Sequence, residues 1–195
     1  DVYAPYPVIH APLFKQRYAT GSHVEVDYEC LDVGPSPSGI ASCTGSLVDG
    51  ASLDTTTPGT YSFAVIATDR AGNSSSRTVT YEVIDDSDGD GLADLWETEG
   101  IDVDNDGQID LRLDQPPYNA DPDHKDMFVE TDWMECGLAP STCAPSDQLS
   151  HKPAPGVADS VVATFASAPL SNPDGTDGVR LHLDIDQAVT EISVL

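Results

Sequence analysis

Between Asp85 and Glu135 the chain places 18 acidic side chains against two basic ones, Arg112 and Lys125, so this strip holds −16 of a net charge of −26 over 195 residues. Its main apolar residues, Leu92, Leu95, Trp96, Ile101, Ile109 and Leu111, are too few to build a large core while the carboxylates repel one another. The strip therefore divides the chain and calls for a cationic partner. The spacing within it is ordered. Residues 86–97 read Asp-Ser-Asp-Gly-Asp-Gly-Leu-Ala-Asp-Leu-Trp-Glu. Asp86, Asp88 and Asp90 alternate with turn-forming residues, Gly91 permits a sharp reversal, Leu92 offers a main-chain carbonyl, and Asp94 and Glu97 bring two further carboxylates. A hard cation such as calcium needs about six to eight oxygens, and a short loop supplies them in this way. A solvated acidic linker would need neither the glycine nor the closing glutamate.

Sixteen residues on, Asp102, Asp104, Asp106, Gly107, Gln108 and Asp110 repeat the core of the pattern, with Gln108 at the carbonyl position. Leu113 stands where the closing glutamate is needed, so that ligand must come from Asp114 or from the later group Asp121, Asp123 and Asp126. Both loops resemble the EF-hand and thrombospondin type 3 calcium loops. The resemblance implies calcium as the bound ion.

The remaining 144 residues carry only −10, which fits local cation binding better than a uniformly acidified surface, although salt adaptation would account for the milder excess. Phosphate contacts need basic clusters, and the sequence has none, so nucleic acid is not an expected partner. No apolar run approaches transmembrane length. Asp1 opens directly on folded-looking sequence, as expected of a mature protein freed of its leader, or of a fragment. The four cysteines form two close pairs, Cys30 with Cys43 and Cys136 with Cys143, without the spacing or histidine partners of a zinc or redox site. Two local disulfides are expected, which with the acidic loops point to a secreted or cell-surface protein.

Residues 1–84 read as all-β. Apolar and polar residues alternate over 24–30, 61–67 and 77–83, separated by the turn-rich stretches 34–39 and 69–75. Short strands at this spacing predict a sandwich. Tyr28-Glu-Cys30, Gly39-Ile-Ala-Ser-Cys43 and the run from Gly59 to Asn73 resemble bacterial immunoglobulin-like and hyaline-repeat modules. The resemblance implies a spacer, adhesive or assembly unit without chemistry of its own. Asn73-Ser-Ser75 is a glycosylation sequon that a surface turn explains equally well.

Beyond the strip, 127–133 reads as a strand. Val157, Val161, Val162, Phe165 and Ala168 recur at helical spacing before Pro169, and 179–185 reads as a second strand. Strand, crossover helix and strand predict one βαβ unit with parallel neighbouring strands. One such unit leaves sheet surface uncovered, so it is expected to be completed by the acidic region and the β-rich N-terminal module packing on it, by a missing C-terminal domain or partner, or by self-assembly. Residues 123–134, 150–153 and 168–186 resemble the opening of the catalytic region in secreted zinc metalloproteases. No His-Glu-x-x-His occurs, however, and His10, His23, His124, His151 and His182 stand singly, so no zinc site of that kind is expected. His182, between two leucines, reads as a hydrogen-bonded strand histidine, and His124 sits among acids. Glu130 and Asp132, or Ser150 with His151, offer only weak catalytic pairings.

The expected fold is multidomain: an immunoglobulin-like β-sandwich over 1–84, tandem calcium loops over 85–126 and a small α/β unit over 127–195. The expected function is that of a secreted calcium-binding structural region, in which the ion stiffens the junction between the flanking modules. The alternatives are the non-catalytic front part of a secreted zinc metalloprotease, and a self-assembling extracellular fibre or surface-layer subunit.

Overall fold

The computed structural model describes residues 1–104, 106–135, 152–154, 156–185 and 188–190. The chain forms two compact units, Asp1–Asp114 and Gln115–Leu195. The Cys136–Cys143 pairing expected above lies outside the described residues.

The first unit is built on β1 (Tyr6–Ala11), β2 (Arg17–Ala19), β3 (Asp27–Leu31), β4 (Ile40–Gly45), β5 (Gly59–Asp69) and β6 (Ser74–Ile84). Strands β1 and β3 pair antiparallel, and a four-stranded sheet runs in the order β2-β6-β5-β4. The β5–β6 hairpin is the backbone of the fold, in continuous register from Gly59↔Val83 to Thr68↔Ser74. Its alternation puts Phe63, Val65, Val79, Tyr81 and Val83 on one face, where Ile9 of β1, Val26 and Leu53 close a single core over them. Each such side chain contributes roughly 1.5–3 kcal/mol on burial. Gly45 is required by packing: a Cβ there would stand 2.7 Å from the Tyr28 ring and 2.9 Å from that of Phe63. The expected strands over 61–67 and 77–83 are the central parts of β5 and β6. The one over 24–30 begins later, at Asp27, because Glu25 instead makes an isolated bridge to Ser52.

A disulfide joins Cys30 of β3 to Cys43 of β4, with Cα atoms 5.7 Å apart, so it links the two sheets. Strand β2 was not apparent from the sequence. It is three residues long and exists because β6 supplies its partner, in parallel register from Arg17↔Glu82 to Ala19↔Ile84.

The segment after β6 belongs to this first unit. It contains α1 (Asp94–Glu99) and an isolated bridge, Ile101↔Leu111, with Ala93 and Leu113 buried. Gly100 has φ 90°, and a Cβ there would strike Ile109 and the Leu111 carbonyl, so glycine is needed between helix and bridge.

The second unit holds β7 (Asp126–Glu130), β8 (Trp133–Glu135), α2 (Val157–Ala166), β9 (Arg180–Asp184) and β10 (Ala188–Thr190). Strands β7 and β9 pair in parallel, as do β8 and β10. Helix α2 packs on β9, with the Val179 N–H donating to the Phe165 carbonyl at 3.0 Å. Its half-buried side is Ala158, Val162 and Phe165, whereas Val157 and Val161 are 48 % and 38 % exposed. The apolar stripe is therefore rotated from the expected one, following an i, i+4, i+7 line. Among the described residues, no helix is long and apolar enough to cross a membrane.

Candidate metal centre

Two loops of the first unit gather carboxylates. In the first, Asp86, Asp88 and Asp90 each offer an oxygen within 4.8 Å of the others, and in the second Asp102, Asp104 and Asp110 do the same. Different sequences reach this through one hydrogen-bond scheme. The carboxylate at position 1 accepts the N–H of the position-6 glycine: Gly91 to Asp86 at 3.1 Å and Gly107 to Asp102 at 2.8 Å. Position 3 accepts from position 5, at 3.0 Å for Asp90 to Asp88 and 3.1 Å for Asp106 to Asp104. Position 5 accepts from position 7, Leu92 to Asp90 at 2.7 Å and Gln108 to Asp106 at 2.8 Å. Position 9 accepts from position 2, Ser87 to Asp94 at 2.7 Å and Val103 to Asp110 at 2.9 Å. Both glycines are left-handed, with φ 96° and 90°, which is why glycine occupies the turn.

The loops differ at their ends. In the first, Asp94 spends both oxygens on Ser87, one on its N–H and the other on its hydroxyl, and stands apart from the convergent trio. Glu97 lies in α1 and is only 2 % exposed, and Asp88 is 7 % exposed. Ionised carboxylates withdrawn from water to this degree are costly unless charge and hydrogen bonds offset them. In the second loop the side chain of Leu113 enters the core at 3 % exposure, and Asp114 pairs with Arg112 at 2.8 Å. Asp106 holds both the N–H and the side-chain amide of Gln108. The donors in both loops are oxygen alone, which suits a hard cation such as calcium or magnesium rather than a zinc or copper ion.

Asp121, Asp123 and Asp126 belong to the second unit. The Asp126 side chain is fully buried; one oxygen binds His182 Nε2 and the other accepts from the Asp121 N–H at 3.0 Å and from Arg180 at 3.3 Å. Phe128 stacks on the His182 ring, 4.4 Å between centroids, and Tyr118 meets both rings edge-on. Asp121 in turn accepts the Asp123 N–H at 3.1 Å. His124 Nδ1 lies 3.0 Å from Asp174 and 3.1 Å from the Thr176 hydroxyl. The N–H and hydroxyl of Thr176 hold the Asp174 carboxyl at about 2, against the smaller opposing effect of burial and with help from His124.

One acidic group was not apparent from the sequence. Asp1, Asp32 and Asp69 converge within 4.8 Å although they are far apart in the chain, so no local spacing announces them. Burial pushes the Asp69 carboxyl up, but the backbone and side chain of Asn73, with the N–H groups of Ala71 and Gly72, outweigh it and leave the group below its ordinary value. The sequon asparagine is thereby accounted for: the Asn73 side-chain amide donates to Asp69 at 2.8 Å and closes the β5–β6 turn.

Residues 2–84 match a family model described as "Putative Ig domain", and the first unit accordingly carries an Ig-like domain within a mostly β protein. No curated protein matches the chain.

Proposed function

We propose that this chain is a calcium-binding structural region of a secreted or cell-surface protein, in which calcium stiffens the acidic segment following the Ig-like domain. The observation that carries the reading is the common hydrogen-bond scheme of the two loops, which brings three carboxylates together in each. Like charges held this close favour a divalent cation that shares them as ligands. Glu97, buried at the closing position, is the best-placed source of a bidentate contact for the first loop. The second loop, with Leu113 buried at that position, is the weaker of the two. An Ig-like domain with a sheet-linking disulfide accords with an oxidising, extracellular setting.

Calcium titration by calorimetry tests this reading. The full chain should bind with a stoichiometry of at least one. Glu97→Gln, which keeps shape and removes charge, should weaken the tighter site by roughly a hundredfold, about 3 kcal/mol. Unchanged affinity in a folded Glu97→Gln protein, or no heat from the parent chain, would sink the assignment.

A further inference from the structure

We propose that the Ig-like domain carries a cation site of its own, for one calcium ion, where the carboxylates of Asp1, Asp32 and Asp69 meet at one end of the sandwich. None of its residues belongs to the two acidic loops. Each of the three offers an oxygen within 4.8 Å of the others. They come from separate parts of the chain: the segment ahead of β1, the β3–β4 connection and the last residue of β5.

Convergent acids alone do not make a site. What marks this one is Oδ1 of Asp32, which is closed off from water and receives no hydrogen bond. The other oxygen of Asp32 accepts the Gly39 N–H at 2.7 Å, so one half of the carboxylate is buried without a donor. An ionised group in that state is costly unless a positive charge reaches it. No protein cation does. None of the three carboxylates joins an ion pair among the described residues, although the Arg70 guanidinium lies 3.7 Å from where a Cβ of Gly39 would stand. Asp69 is 2 % exposed, with its oxygens held by Asn73, and Asp1 is held by the N–H groups of Tyr3 and Ser38 at 3.0 and 2.9 Å. A carboxylate anchored in this way keeps lone pairs for a metal. The donors are oxygen throughout, and ligands from three separate segments suit calcium, which tolerates irregular geometry better than magnesium. With water completing the shell, the affinity belongs to the weak range of extracellular modules, roughly 10⁻⁴ to 10⁻³ M. The ion fastens the segment ahead of β1 to the β5–β6 turn, which Asn73 already joins through its 3.3 Å bond to the Tyr3 carbonyl.

Nuclear magnetic resonance titration of the full chain with calcium tests the site, because its amides report separately from those of the loops. The amides of Ser38, Gly39 and Asn73 should shift saturably, and sodium chloride of equal ionic strength should not reproduce the shifts. Asp32→Asn keeps the shape of the side chain and removes its charge; it should weaken binding at these amides about tenfold or more while leaving the responses of Gly91 and Gly107 as they were. Asp1→Asn, at an exposed position, should act in the same direction and replaces Asp32→Asn should that protein not fold. The proposal is overturned if Ser38, Gly39 and Asn73 do not respond to calcium, if sodium chloride moves them equally, or if a folded Asp32→Asn or Asp1→Asn protein keeps the parent midpoint. Silence at Gly91 and Gly107 would count against the loops and leave this site standing.

Discussion

Asp69 and Asn73 show how much a single side chain settles here. The amide of Asn73 and its own N–H both reach the Asp69 carboxylate, at 2.8 Å each, and so lock the turn of the longest hairpin. Asn73→Ala removes the side-chain donor to a buried carboxylate and should cost about 1–3 kcal/mol in chemical denaturation. Asp174 gives a pH dependence with a definite sign. Its folded-state value of about 2 lies below the ordinary 3.8, so the folded chain favours the ionised form. That contribution is complete above about pH 5 and is lost progressively as pH falls through the ordinary value to about 2. Carbon-detected titration of the Asp174 carboxyl should show it ionising near 2, and an ordinary midpoint would contradict the Thr176 contacts. Neither device is spelled out in the sequence. The sequon at Asn73 was visible, but the partner that explains it was not, because Asp69 gains its role only when the hairpin closes.

At the scale of elements, what could be read from the chain followed the length of its periodic segments. Strands β5 and β6 alternate over 11 residues each and were evident, since one face of each must meet the core. Strands β2 and β4 were not, because three and six residues with little alternation take their form from the neighbours they pair with. The α2 stripe shows the same limit: five apolar residues at helical spacing predicted a face, but Val157 and Val161 remain exposed while Ala158 turns inward. Phe63, 1 % exposed beneath the Tyr28 ring, is the best test of the core. Phe63→Ala should cost about 3–5 kcal/mol in urea denaturation; a loss below 1 kcal/mol would mean that the sheets do not pack through this residue. Reducing Cys30–Cys43 should cost roughly 3 kcal/mol, by freeing the loop in the unfolded chain. The turns of the two acidic loops follow directly from the local spacing of aspartates and glycine, which is why their shared hydrogen bonds could be anticipated from the chain. What spacing did not reveal is that Leu113 occupies the core, or that Asp126 is held by His182 and Arg180.

For the whole molecule, the acidic segment up to Asp114 clusters with the Ig-like domain, and the second unit begins at Gln115. The Asp86 N–H donates to the Thr20 hydroxyl at 3.1 Å, and the Thr20 N–H to the Ile84 carbonyl at 2.9 Å, so the first loop is tied to the end of β2. Under the calcium reading, ion loss should expose the segment between Asp85 and Asp126 to limited proteolysis before the sandwich is cut. The most direct test of the account is thermal unfolding of the full chain across a calcium series, with sodium chloride controls of equal ionic strength. Calcium that binds only the folded state should raise stability by about 2.7 kcal/mol when its concentration is a hundredfold above the dissociation constant, and the midpoint should climb with concentration. Unfolding curves that coincide in chelator and throughout the calcium series would contradict the claim that these loops hold the ion.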